Sequence, residues 1–315
     1  MTLSSFLKLV EIQTKVASII PFTLGTVYSL YRFNKFNLGN FIIMLISLVS
    51  IDMSTTAINN YMDYKKAEKT HGYNYESHNA VVKYRLPEKV VVSTIIILLM
   101  VAMLLGILLF INTNILVLII GGISFAVGIL YSFGPVPISR TPFGEIFSGF
   151  FMGFVIVFLS VYIHVYDSNI VNLAYLWGFV NLSIDIKEVV YILLISVPTV
   201  LGISNIMLAN NLCDIEDDIL NNRYTLPVYI GKDKGLLVFK ILYYIIFIII
   251  LTLIVLRVIP IISLISLLTF IPVNKNIKSF YQKQTKKDTF ILAVKNFIII
   301  NIIYIITITI AIIFK

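Results

Sequence analysis

Residues 189–218 read VVYILLISVPTVLGISNIMLANNLCDIEDD. The first part, 189–211, is an apolar run able to cross about 30 Å of hydrocarbon, for which roughly 20 residues are needed. It passes without a spacer into Asn210-Asn211-x-x-Asp214-x-x-x-Asp218. The same spelling occurs 151 positions earlier, where apolar 39–59 runs into Asn59-Asn60-x-x-Asp63. Carboxylates beside a bilayer are costly unless something pairs with them, and clusters of like charge more so. Two such clusters point to bound divalent cations. Hard oxygen ligands on two helices suit Mg2+, which takes one or two carboxylates and completes its shell with waters and substrate phosphates. Either cluster alone reads equally well as helix capping beside a solvated loop; the repeat of the pattern favours metal.

The rest of the 315-residue chain is as apolar as this stretch. It is 59% hydrophobic and 13% charged, with a mean hydropathy of +0.96, whereas soluble domains carry about 25% charged residues. The chain therefore reads as an all-α integral membrane protein. Nine spans of sufficient length follow: 16–33, 39–59, 90–111, 115–132, 144–165, 189–211, 235–256, 258–274 and 290–314. The net charge of +8 is accounted for by basic loops on one membrane side, so nucleic acid is not implied. The N-terminus and the loops after spans 2, 4, 6 and 8 carry 17 Lys or Arg, and the opposite loops with the C-terminus carry five. By the positive-inside rule, the N-terminus and both acidic motifs lie in the cytoplasm and the C-terminus outside, in a multi-pass cell-membrane protein. No cleavable signal peptide is read at the start, and the single cysteine, Cys213, excludes an intramolecular disulfide. The outer loop 166–188, with AYLWGFV around Trp177, is expected to lie along the interface.

Both Asn-Asn-x-x-Asp elements close a span, and four spans separate them. Two parallel four-helix halves plus one helix follow, in a single membrane-embedded domain, 1–315, with active-site loops at about 59–89 and 211–235. On a helix, residues 7 and 11 apart share a heading to within about 20°. Asp52, Thr56, Asn59 and Asp63 are thus expected to form one polar stripe, and Asn211, Asp214 and Asp218 another. The role of Asp52, deeper in span 2, stays open between a polar cavity and a structural hydrogen bond. The segment Tyr131-Ser132-Phe133-Gly134-Pro135-Val136-Pro137-Ile138-Ser139-Arg140 brings an aromatic hydroxyl and a guanidinium to the same face, and Arg suits bidentate phosphate contacts. Arg223 and Lys15 are similar candidates, and each of the three reads also as an ordinary basic anchor. His71 and His78 read as solvated loop residues, and His164 falls on the outer side. No HExxH, P-loop or CxxC pattern is present, so zinc hydrolysis and nucleotide binding gain no support.

Across nearly its whole length the chain resembles the UbiA superfamily of intramembrane prenyltransferases. The residues that carry the resemblance are Asn210–Asp218 followed by Thr225-Leu226 and Gly231, INNYMDYKK from Ile58, the turn Tyr131–Pro137, Gly144-Glu145, and KLVEIQTK with Pro21 and Gly25. Within the superfamily the likeness is to 1,4-dihydroxy-2-naphthoate prenyltransferases of menaquinone synthesis. Asn60 stands where that pattern has its first Asp, Lys69 where it has a later acidic residue, and Asn222-Arg223 where a Gly-Lys pair is common.

The resemblance implies a UbiA-like bundle, Mg2+ as cofactor, and polyprenyl diphosphate and an aromatic acceptor as substrates. Asn59, Asp63, Asn211, Asp214 and Asp218 would hold the metal; Arg140, Arg223 and Lys15 would hold the diphosphate; Tyr131 would face the allylic cation. Dihydroxynaphthoate as acceptor would lose its ring carboxylate as CO2. 4-Hydroxybenzoate or haem would be alternative acceptors, and a transporter using Asp52 as a proton site is the rival class.

Overall fold

The computed structural model describes residues 1–67, 79–176 and 179–314. The readings made above at Lys69, His71, His78 and Trp177 fall outside these residues. A short helix α1 (Leu3–Leu9), closed by a capping box between Thr2 and Ser5, leads into α2 (Val16–Phe33) and α3 (Leu38–Lys65). The one-turn α4 (Ala80–Lys83) precedes α5 (Glu88–Asn112) and α6 (Ile115–Ser132). Then come α7 (Gly144–Ser148), a π-helical segment Gly149–Val155, and α8 (Ile156–Val165), which run on as one rod. Strands β1 (Val171–Leu176) and β2 (Phe179–Ile184) precede α9 (Ile186–Cys213), α10 (Ile215–Leu220), α11 (Leu226–Ile230) and α12 (Lys232–Val255). A 3-10 segment, Ile261–Thr269, continues into α13 (Phe270–Gln282), and α14 (Phe290–Ile313) closes the chain.

Among the described residues eight helical segments are long and apolar enough to cross a membrane. They overlap eight of the nine expected spans, with 258–274 shifted to Ile261–Gln282, so that Lys275 and Lys278 lie on the helix and not in the loop after it. The first expected span, 16–33, is the 18-residue helix α2, which carries Ser, Thr, Tyr, Arg32 and Pro21 among its apolar residues and is not one of the eight. Its polar residues are accommodated because the helix is central: Ser18, Thr26, Tyr28 and Ser29 are buried. α2 packs along α8 and α14. A Cβ on Gly25 would stand 2.6 Å from both Ser160 Cβ and Val157 O, so only glycine allows this approach of α2 to α8.

Local chemistry sets the helix ends. Side chains of Asn37, Asn114 and Asp185 accept from the backbone N–H groups of Asn40, Leu116 and Glu188, the usual reward for Asn or Asp at an N-cap. The loop 166–188 contains an antiparallel hairpin, registered from Val171 opposite Ile184 to Leu176 opposite Phe179. Short apolar stretches containing β-branched residues pair in this way once a turn brings them side by side. Among the described residues the fold is therefore helical with one two-stranded hairpin.

The large core is formed mainly by α2, α8, α9, α12 and α14. A smaller cluster, Leu9, Ala57, Ile58, Ala80, Val81, Leu86, Val91 and Ile95, clamps the end of α3 against α1, α4 and α5. That clamp fixes the turn of α3 on which Asn59 and Asp63 sit.

Candidate functional site

The first motif lies on the last two turns of α3, a 28-residue helix. Asn59 Nδ2 donates to Asp63 Oδ2 at 3.3 Å, and Asn59 Oδ1 accepts from Ser132 Oγ at 3.2 Å. Asn60, 5% exposed, points the other way. Its Nδ2 donates to Leu9 O at 3.0 Å and Glu11 Oε1 at 3.3 Å, and its carbonyl accepts from Asn79 Nδ2 at 2.8 Å. Asn60 is a strut between α3, the N-terminal segment and the start of α4.

The second motif is built differently. Helix α9, also 28 residues, stops at Cys213, and Asp214 (φ −114°, ψ 11°) is the joint before α10. The expected single helical face for Asn211, Asp214 and Asp218 is therefore broken at Asp214. Asn211, 1% exposed, turns into the helix interface and donates from Nδ2 to Glu145 Oε1 at 2.8 Å. Asn210 takes the position beside the aspartate: its Oδ1 accepts from Lys286 Nζ at 2.6 Å, and the same ammonium pairs with Asp214. Asp218, 3% exposed, is held by Thr225 Oγ1 at 3.1 Å and lies 3.3 Å from Arg223 Nε. Burial, first, and the charge of Asp214 push its carboxyl up to about 6, against the opposing pull of Arg223.

Basic side chains join the two motifs. The charged side chains in the surroundings of Asp63 include Arg223, Arg140, Lys286 and Glu11. Two of these cations are the partners of Asp218 and Asp214. Arg140 Nη1 reaches Asn221 O at 3.4 Å, and Tyr224 N donates to Arg140 O at 3.0 Å, so the loop after α6 is tied to the turn after α10. In that turn Asn222 has φ 54°. Asn, like Gly, tolerates the left-handed conformation, so the Asn222-Arg223 departure keeps the bend and places a cation next to it. Tyr131, half-buried, directs its hydroxyl to Gly144 O at 3.5 Å, next to the Ser132 that holds Asn59.

Lys15 belongs to a different network. It is 4% exposed, and its Nζ donates to Asp52 Oδ1 (2.6 Å), Asp52 O (3.0 Å) and Thr56 Oγ1 (2.7 Å). Ser18 Oγ donates to Asp52 Oδ2 at 2.5 Å. All three ammonium protons are committed, and this corrects the reading of Lys15 as an open phosphate contact. The same contacts answer the question of Asp52: it is the buried counter-ion of Lys15. Lys286 was not singled out in sequence, because it is one of several lysines in a basic loop and nothing local distinguishes it.

The donors suit a divalent cation. Among the described residues no three His, Cys, Asp or Glu side chains already form a cluster. Carboxylates and amide oxygens come instead from two separate helix ends, and the second-motif carboxylates carry cationic side chains in the meantime. Mg2+ binds through few protein ligands and substrate phosphates, so such a divided oxygen set fits it better than an all-protein cage would.

The profile of the UbiA prenyltransferase family matches residues 18–301. The chain is 29% identical over 219 residues to the 1,4-dihydroxy-2-naphthoate octaprenyltransferase of Bacillus subtilis (strain 168), a match spanning 69% of this chain and 63% of that protein. A UbiA homolog from Archaeoglobus fulgidus bound to GPP and Mg2+ superposes with a TM-score of 0.68 at 14% identity, over 99% of this chain and 100% of that one. The apo structure of a UbiA homolog from Aeropyrum pernix K1 gives 0.69 at 16% identity, over 92% and 97%. With a family match over most of its length and the same fold as these neighbours, this multi-pass membrane chain belongs to the UbiA prenyltransferase family.

Proposed function

We propose that this chain transfers a polyprenyl group from polyprenyl diphosphate to 1,4-dihydroxy-2-naphthoate, releasing diphosphate and CO2 and giving demethylmenaquinol. The observation that supports prenyl transfer is the gathering of Asp63, Asp214 and Asp218 with Arg140, Arg223 and Lys286 at the ends of α3 and α9. An acceptor of this kind is supported by the Bacillus relative and by the sequence likeness at Tyr131–Pro137 and Gly144-Glu145. On this reading the chain is one membrane-embedded domain whose site, between residues 59–89 and 211–235, faces the cytoplasm, with the C-terminus outside.

Asn59 and Asp63 from α3, and Asn210, Asp214 and Asp218 from the second motif, would hold Mg2+. When bound, Mg2+ supplies neutralisation of the charge that builds on the leaving diphosphate. Arg140 and Arg223 bind the remaining phosphate charge, and Arg is the side chain best shaped for it. Lys286, which sits on Asp214, would be free to meet a phosphate oxygen once a metal takes that carboxylate. The ring of Tyr131 offers its π face to the allylic cation. The apolar helices around the site keep water from a cation it would quench, and they hold donor and acceptor together.

The test is product analysis by mass spectrometry. Purified protein with Mg2+, a polyprenyl diphosphate and equal amounts of dihydroxynaphthoate and 4-hydroxybenzoate should yield the prenylated naphthoquinol with diphosphate released. Transfer to 4-hydroxybenzoate alone would refute the acceptor, and no Mg2+-dependent diphosphate release with any acceptor would refute the reaction.

A further inference from the structure

Helices α12 and α13 form a two-part seam on the flank of the bundle. At the end nearer the acidic motifs, a groove of ≈ 330 Å³ is lined by Lys240, Tyr244, Asn274, Lys278 and Tyr281, among others. Further along the same pair of helices, a second groove of ≈ 310 Å³ is lined by Phe247, Ile248, Leu251, Leu267 and Phe270. The ring of Phe270 packs on Tyr244 and Phe247, at 5.7 and 5.2 Å between centroids. Basic and apolar halves thus lie end to end along the expected membrane normal.

The polar half is held open by its own contacts. Tyr281 Oη donates to Leu236 O at 2.7 Å, and Tyr244 Oη donates to Asn274 Oδ1 at 3.3 Å. Lys240 Nζ stands 5.5 Å from the centre of the Tyr244 ring. Among the described residues neither Lys240 nor Lys278 has a carboxylate partner, whereas Lys35, Lys65, Lys283 and Lys286 each have one. Lys240 lies eight residues into α12, roughly 12 Å of helix, and Lys278 four residues from the end of α13. Lys278 thus lies near the end of its span, and Lys240, deeper in its own span, needs the reach of its long side chain to meet a headgroup there. Ile248 and Leu251 in the apolar groove and Leu268 and Ile271 beside it are exposed, at 62%, 47%, 65% and 72%, as suits a lipid-facing flank.

We propose that this seam binds one anionic phospholipid, its phosphodiester between Lys240 and Lys278 and an acyl chain in the groove of Phe247, Leu251 and Phe270. Basic pockets between transmembrane helices at the cytoplasmic face take such headgroups. A prenyl diphosphate fits less well, because the lining holds no carboxylate to carry its metal. The inference does not depend on the reaction proposed above.

Native mass spectrometry of the purified full-length chain in detergent, titrated with phosphatidylglycerol or phosphatidylcholine of the same acyl chains, tests it. One phosphatidylglycerol should bind ahead of phosphatidylcholine. The double variant K240Q/K278Q should lose on the order of 10- to 30-fold in affinity for it, from about one surface charge's worth per lysine, and keep its affinity for phosphatidylcholine. Leu251→Trp, which fills the apolar groove, should weaken both lipids. The control K283Q/K287Q, in the basic loop outside the seam, should bind phosphatidylglycerol like the parent. Unchanged binding by K240Q/K278Q, an equal loss in the control, or displacement of the lipid by geranyl diphosphate would each overturn the proposal.

Discussion

The elements Asn59-Asn60-x-x-Asp63 and Asn210-Asn211-x-x-Asp214 share their spelling, and each closes a 28-residue helix. In both, the first asparagine stands beside the aspartate and the second is buried as a strut, Asn60 to the N-terminal segment and Asn211 to Glu145. The backbones differ. α3 carries its aspartate on unbroken helix, while α9 ends before Asp214, so the second motif bends and adds Asp218, Thr225 and Arg223. A repeat in sequence has kept the division of labour between its asparagines but not the geometry of its carboxylates. The bent copy holds two carboxylates, both paired with cations, and the straight copy one.

The strongest way to break the comparison is to remove the carboxylates. Asp63→Ala, Asp214→Ala and Asp218→Ala should each lower the rate of diphosphate release by about 10³-fold, in line with losing a charge stabiliser of the leaving group. Circular dichroism should show the helices intact, and near-parental rates in all three would remove the basis for a shared site.

Lys15 and Lys286 separate structural from functional cations. Lys15→Met leaves Asp52 uncompensated in the bundle and should cost about 3–5 kcal/mol of stability, read as a lower unfolding temperature. Lys15→Met/Asp52→Leu should recover most of it. Lys286→Gln should leave the unfolding temperature nearly unchanged and reduce kcat/KM for the prenyl diphosphate, by roughly 10- to 100-fold for a group contacting transition-state charge.

A finer cut lies inside each motif. Asn60→Ala and Asn211→Ala should lose about 1–3 kcal/mol of stability each, the cost of stranding a buried partner. Asn59→Ala and Asn210→Ala should instead raise the Mg2+ concentration needed for half-maximal rate. If the two asparagines of either motif behaved alike, the division of labour would be wrong.

The smallest effect is on pH. The carboxyl of Asp218 is pushed up to about 6 by burial, so it holds a proton below that value and competes with metal there. The apparent Mg2+ requirement should increase as pH falls through that range and level off above it. Rates measured across Mg2+ concentrations at each pH check this, and a flat requirement would place Asp218 outside the metal set.

Much of this was legible in the chain. Helical spans are written locally, because a run of about 20 apolar residues can satisfy its backbone in lipid only as helix. The three aspartates and two arginines were legible because their residue types and spacing fit one chemistry. The hairpin at 171–184 was not legible, since short apolar stretches carry no local mark of strand pairing. The partners of Lys15 and Lys286 were not legible for one reason: charge is local, but its partner is not.

By itself, the sequence determined that this is a helical membrane protein with two acidic helix ends, because burial in lipid and carboxylate cost act residue by residue. Only the tertiary structure decided which asparagine faces the aspartate, which lysine is spent inside the bundle and which guards the site. Those choices rest on contacts between residues 37 positions apart for Lys15 and Asp52, 66 for Glu145 and Asn211, and 76 for Asn210 and Lys286. Pairings over such separations are fixed by helix packing and by the position at which α9 breaks, and no local pattern encodes either.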